Sequence, residues 1–113
     1  MKTELPNISV SVKNKIEKLK SIVSKHFGNR FKYFILYGSY ARGDYNKSSD
    51  IDILIVLDNI RSEMEEIDTL AELKTDILLD SDIYISTNPT SINKFENSNL
   101  FFYRNIRKEG VII

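Results

Sequence analysis

The sequence predicts an α/β (α+β) fold: a small mixed β-sheet with helices packed against it. Three observations lead there. Hydrophobic periodicity reads in the order helix, strand, strand, helix, strand, helix, which suits a layer of helices on one sheet. The run Ile51 to Leu57 is almost wholly apolar, as in a central strand covered on both faces. Residues 9–27 carry apolar side chains at helical spacing, so a long helix must bury one stripe.

The elements follow in order. Residues 1–8 form a lead-in, with Pro6 and Asn7 as breakers. From about Ser9 to Phe27, Val12, Ile16, Leu19, Ile22, Val23 and Phe27 share a stripe, and Gly28 stops the helix. Most lysines of this segment fall off the stripe, as on a solvated face. Arg30 to Tyr37 is the first strand, rich in Phe, Tyr and Ile. Ser39 to Arg42 makes a short helical turn, and Gly43 to Ser49 a polar loop. The second strand then runs from Ile51 to Leu57, with Asp50, Asp52, Leu54 and Val56 on one face.

After the Asp58-Asn59 turn, a helix is expected from about Arg61 to Leu79. Its apolar stripe is Met64, Ile67, Leu70, Ala71, Leu73 or Lys74, and Ile77; Glu63, Glu65, Glu66 and Glu72 are expected to face water or a partner. Asp82 to Ser86 reads as a short third strand, and Asn88-Pro89-Thr90-Ser91 as a turn leading into a helix. That helix, broken near Asn97-Ser98, extends to Lys108-Glu109. Gly110 ends it, and Val111 to Ile113 adds an edge strand. No repeat or linker interrupts residues 1–113, so one domain is expected.

Composition narrows the function. Sixteen basic residues balance sixteen acidic ones, so a strong electrostatic grip on nucleic acid is not expected. There is no cysteine, hence neither a disulfide framework nor a thiolate metal site. No signal-peptide pattern and no bilayer-length apolar run is present, and the expected location is cytoplasmic, without membrane association.

The chemistry concentrates in Gly38 to Val56, GSYARGDYNKSSDIDILIV. Asp50 and Asp52 leave one face of a strand roughly 6–7 Å apart. Paired anions suit a cation site, and hard oxygen ligands suit Mg²⁺, which takes one or two carboxylates and fills its shell with water and phosphate oxygens. Gly38-Ser39, at the end of the preceding strand, lets a phosphate approach the backbone.

Gly38-Ser39, ten residues, then Asp50-Ile51-Asp52 resembles the signature of the minimal nucleotidyltransferase family, a branch of the DNA polymerase β-like superfamily. Ala41-Arg42-Gly43 and Ser49-Asp50-Ile51-Asp52 also match, as does, more weakly, the segment Phe101 to Val111. The resemblance implies a polymerase β-like palm fold and transfer of AMP from ATP with two Mg²⁺ ions. It implies that Asp50, Asp52 and a third acid are catalytic metal ligands; the third is Asp82 or, two residues earlier, Asp80. It implies that Gly38 and Ser39 hold the β- and γ-phosphates. Arg42 either contacts the triphosphate or pairs with Asp44 or Asp50. Short members of the family are paired with HEPN-domain toxins and act as antitoxins, by modifying a tyrosine of the toxin or by binding it. The readings are thus a protein adenylyltransferase, a binding-only module that occludes its partner, and a small-molecule nucleotidyltransferase whose pocket is built in a homo-oligomer. The base preference is left open.

Overall fold

The structure, a computed structural model, describes residues 1–79 and 82–113. Helix α1 (Val10–Phe27) starts on Ser9, whose hydroxyl accepts from the Val12 amide at 3.2 Å. Its buried stripe is Val12, Ile16, Leu19, Val23 and Phe27. Gly28 ends it at φ 56°, and a 3-10 turn, Gly28–Arg30, delays strand β1 to Phe31–Tyr37. Helix α2 (Ser39–Arg42) and strand β2 (Ile51–Leu57) lie where the sequence places them. Helices α3 (Glu63–Leu73) and α4 (Thr75–Leu79), strand β3 (Ile85–Ser91), helices α5 (Ile92–Asn97) and α6 (Phe101–Glu109), and strand β4 (Val111–Ile112) follow.

The sheet order is β3-β2-β1-β4. β1 is antiparallel to β2 and β4, whereas β2 and β3 run parallel, joined by the α3–α4 crossover. β2 is central and is buried on both faces. Ile51, Ile53, Ile55 and Leu57 face the α1 side, where they meet its stripe, Phe34, Leu36 and Leu70. Leu54 and Val56 face the other side, with Ile35, Phe95 and Ile106. Each such side chain contributes about 1.5–3 kcal/mol on burial.

Four expectations are corrected. β3 covers Ile85–Ser91, not Asp82 to Ser86, and Asn88-Pro89 lies inside it rather than in a turn. The missing N–H of Pro89 is tolerated because β3 is an edge strand, open on one side. The helix expected over 61–79 divides at Lys74, whose buried ammonium donates to the Ile85 carbonyl at 2.9 Å. Glu66 does not face water: it is 9% exposed and ion-paired to Arg30 at 2.6 Å. Met64, Ile67 and Ala71, expected on the apolar stripe, are exposed, because Glu66 and Leu70 are the buried residues of α3. Arg30 also donates to the Asp58 carbonyl at 3.2 Å. One guanidinium thereby ties the entry of β1 to the exit of β2 and to α3, which makes turning Glu66 inward favourable.

Ile53→Ala is expected to lower the unfolding free energy by about 2–5 kcal/mol through a cavity in the α1-side core. Met64→Ala should change it by no more than about 0.5 kcal/mol. Urea denaturation of both variants checks the assignment of inner and outer positions.

Candidate active site

The site forms where β1 ends and β2 begins. The antiparallel register sets Tyr37, the last residue of β1, abreast of Asp52. The chain then turns at Gly38, with φ 74°, into α2. That backbone conformation is open to glycine and strained for other residues. Space imposes the same choice: a Cβ at Gly38 would overlap the Asp52 carboxylate. The Gly-Ser pair and the Asp-x-Asp pair, separated by ten residues in sequence, are therefore in contact through Gly38 and Asp52.

Asp52 is half-buried. Burial raises its pKa above the usual carboxylate value, the charge of Asp50 raises it further, and Arg42 pulls it back. Asp50 is exposed at the edge of the same strand. The Arg42 Nε donates to the Asp44 Oδ2 at 3.2 Å, so the pairing with Asp44 is the one formed, and both side chains remain exposed. Asp50, Asp52, Gly38, Ser39 and Arg42 are thus gathered at one end of the sheet.

Asp82 is placed differently. It stands exposed in the bend before β3, three residues ahead of the strand. It lines a cavity of about 540 Å³ with Ser9, Val12 and the stacked rings of Tyr40 and Tyr45, on the α1 side of the sheet. The residue in register with Asp52 on β3 is Ser86. Among the described residues, no three acidic, histidine or cysteine side chains lie close enough together to hold a metal ion. The alternative third acid, Asp80, lies outside the described residues.

Other residues of the site were not legible in the sequence. Asn88 on β3 donates to the Tyr37 hydroxyl at 2.7 Å, bridging over the central strand beside Asp52. Burial raises the Tyr37 pKa, the Asn88 bond lowers it, and the charge of Asp52 raises it again. Beyond Tyr37, the first turns of α6 form a wall: the Phe102 ring meets the Tyr37 ring edge-to-face at 5.5 Å. The adjacent Phe101 and Phe102, both largely exposed, are the one sequence signal that could have marked this wall.

A mixed sheet that presses an acidic strand start against a Gly-Ser turn defines the class of nucleotidyl-transfer enzymes. The chain belongs to the nucleotidyltransferase domain family, whose model matches residues 16–113. It is 40% identical over 98 residues to "Putative protein adenylyltransferase MJ0604" of Methanocaldococcus jannaschii, covering 86% of this chain and 91% of that one. It is 39% identical over 88 residues to "Putative protein adenylyltransferase MJ0141" of the same organism, covering 73% and 89%. In fold it is similar to a crystal structure described as a "putative nucleotidyltransferase from Sulfolobus solfataricus", with a TM-score of 0.58 and 20% identity over 96% of this chain and 90% of that one. It is also similar to a chain of a "toxin-antitoxin with AMP-PNP" crystal structure, with a TM-score of 0.56 and 23% identity over 88% and 69%. Among the described residues, no helix is long and apolar enough to cross a membrane.

The raised pKa of Asp52 has a consequence for stability. Protonation of this carboxyl favours the folded state, so that contribution is complete below its unfolded pKa of about 4 and is lost as pH rises through the higher folded value. Asp52→Asn is therefore expected to raise Tm at neutral pH, with the gain shrinking as pH falls through the raised folded value and levelling off by about pH 4. Thermal melts of both proteins across that range test the sign.

Proposed function

We propose that this chain is a Mg²⁺-dependent adenylyltransferase that moves AMP from ATP onto a hydroxyl of a partner protein. The observation that carries the reading is the packing of Asp52 against Gly38, with Asp50 and Arg42 beside it, in a chain 40% identical to the relative named "Putative protein adenylyltransferase MJ0604". In the reaction, the acceptor oxygen attacks the α-phosphorus of ATP. The bond from that phosphorus to the bridging oxygen of pyrophosphate breaks, and the acceptor proton passes to a base.

The donor set fits the implied metal. Asp50 and Asp52 are hard oxygen donors on one strand, and Mg²⁺ takes one or two carboxylates with water and substrate phosphates. The half-buried Asp52 and its repulsion by the exposed Asp50 are also what a cation would relieve. When bound, the ion supplies charge neutralisation to the triphosphate. Gly38 and Ser39 receive the β- and γ-phosphates at the turn. Arg42, held by Asp44 without nucleotide, is exposed and free to exchange that carboxylate for a phosphate oxygen. Asp82 is assigned to the acceptor side. Its part in taking the acceptor's hydroxyl proton is what the family resemblance implies; the cavity it lines next to α2 is on the α1 side, across the sheet from the face that carries Asp52.

The partner in this reading is a HEPN-domain toxin, the acceptor one of its tyrosines, and the outcome its neutralisation. Two features support a protein partner: the likeness in fold to a chain from a toxin–antitoxin structure, and the apolar patch Leu100 and Phe101, 65% and 77% exposed. The same patch favours a second reading, in which the chain neutralises its partner by binding alone.

Co-expression with the partner, followed by intact-mass measurement, separates the two. The wild type is expected to add one adenylyl group per partner, and Asp50→Asn plus Asp52→Asn to add none. Asp82→Asn should slow transfer by about a hundredfold or more while leaving ATP affinity within a fewfold of wild type. A partner neutralised equally well by the wild type and the double variant, with no added mass in either case, would establish the binding-only reading.

A further inference from the structure

A cavity of about 300 Å³ opens between α2 and α6, on the side of the sheet that carries Asp52. Its lining includes Tyr37 and Gly38, the two residues through which β1 meets Asp52, and Arg42. The far wall is α6. Residues 101, 105 and 109 recur every four positions and so share one face of that helix, while Ile106 packs into the core. The cavity therefore receives Asn105 and Glu109 beside the ring of Phe102. Among the described residues, neither the Asn105 nor the Glu109 side chain has a hydrogen-bond or ion-pair partner, and both are only half-exposed.

We propose that this cavity is the nucleobase subsite, and that Asn105 and Glu109 select adenine. The inference rests on the nucleotidyltransferase reading, because it takes the triphosphate to lie at Gly38. The volume is at the small end of ligand pockets, enough for a flat heterocycle and too small for a folded peptide segment. Tyr37 and Phe102 supply aromatic surface against which any base can stack. The edge contacts discriminate. The Asn105 carboxamide offers a donor and an acceptor side by side, which match N7 and the 6-amino group of adenine. With Asn105 fixing the N7 and 6-position edge, the Glu109 carboxylate, which only accepts, favours the 6-amino group of adenine over the O6 of guanine at that position. Arg42 and Gly38 at the mouth direct the phosphates of the same molecule toward Asp52.

Calorimetric titration in Mg²⁺ buffer with ATP, GTP and inorganic tripolyphosphate tests this on wild type, Asn105→Ala and Glu109→Gln. None of these side chains is in the buried core, and equal Tm values confirm that the variants are folded. The wild type should bind ATP about tenfold or more tighter than GTP and tripolyphosphate. Both variants should reduce the ATP-to-GTP ratio by about tenfold while leaving tripolyphosphate affinity unchanged. Equal binding of ATP and GTP by the wild type, or an ATP affinity indifferent to both substitutions, overturns the subsite while leaving the nucleotidyltransferase reading in place. Failure of the wild type to bind any of the three probes overturns both.

Discussion

The antiparallel pairing of β1 with β2 is the constraint on which the rest of this structure depends. It sets Tyr37 opposite Asp52 and so brings the turn at Gly38 against the carboxylate. A slip by one residue would turn Asp52 to the α1 face and exchange the side chains that β2 gives to its two cores. That slip is opposed by the burial of β2 on both faces, where every residue from Ile53 to Leu57 is at most 1% exposed. The hydrophobic core and the acidic site are thus held by the same register. The strand that pays for Asp52, by burying a carboxylate beside a second one, is also the best-anchored strand in the fold.

Around that strand the polar residues divide by depth. Arg30 and Glu66 close the end of the sheet away from the acids, with Arg30 also on the Asp58 carbonyl at the exit of β2. Lys74 caps the Ile85 carbonyl where β3 enters the sheet, beside the acidic end. The buried charges of Glu66 and Lys74 are thus matched by a guanidinium and a carbonyl, as burial demands. Asp50, Asp52 and Arg42, by contrast, leave a cluster in which the two carboxylates outnumber the guanidinium, itself engaged by Asp44. Such unbalanced charge at a glycine turn marks this cluster as a candidate site.

The bridge from Asn88 to Tyr37 joins β3 to β1 across the central strand and fixes the floor of the cavity beside α6. Because α6 also packs Ile106 into the core below, the wall of that cavity is rigidly mounted, while its outer residues Phe101 and Phe102 stay accessible. The acids at the start of β2, the turn at Gly38 and the aromatic wall of α6 thus lie together at one end of the sheet.

The sequence by itself determined the helix of residues 10–27, strands β1 and β2, the turn at Ser39–Arg42 and the break in the C-terminal helical region, because each rests on local periodicity or a glycine. It also determined the pairing of Gly38-Ser39 with Asp50-Ile51-Asp52, because their spacing is a property of the chain. Tertiary structure decided what neighbours impose. Asn88-Pro89 reads locally as a turn, yet the parallel partner β2 draws it into β3. Glu66 reads as a residue facing water or a partner, yet Arg30, far along the chain, makes its burial favourable. Asp82 reads as the opening of a strand, yet three residues of bend carry it to the α1-side cavity and set Ser86 abreast of Asp52. The cavity of Tyr37, Phe102, Asn105 and Glu109 joins a strand end to a helix more than sixty residues later, and only packing brings them together.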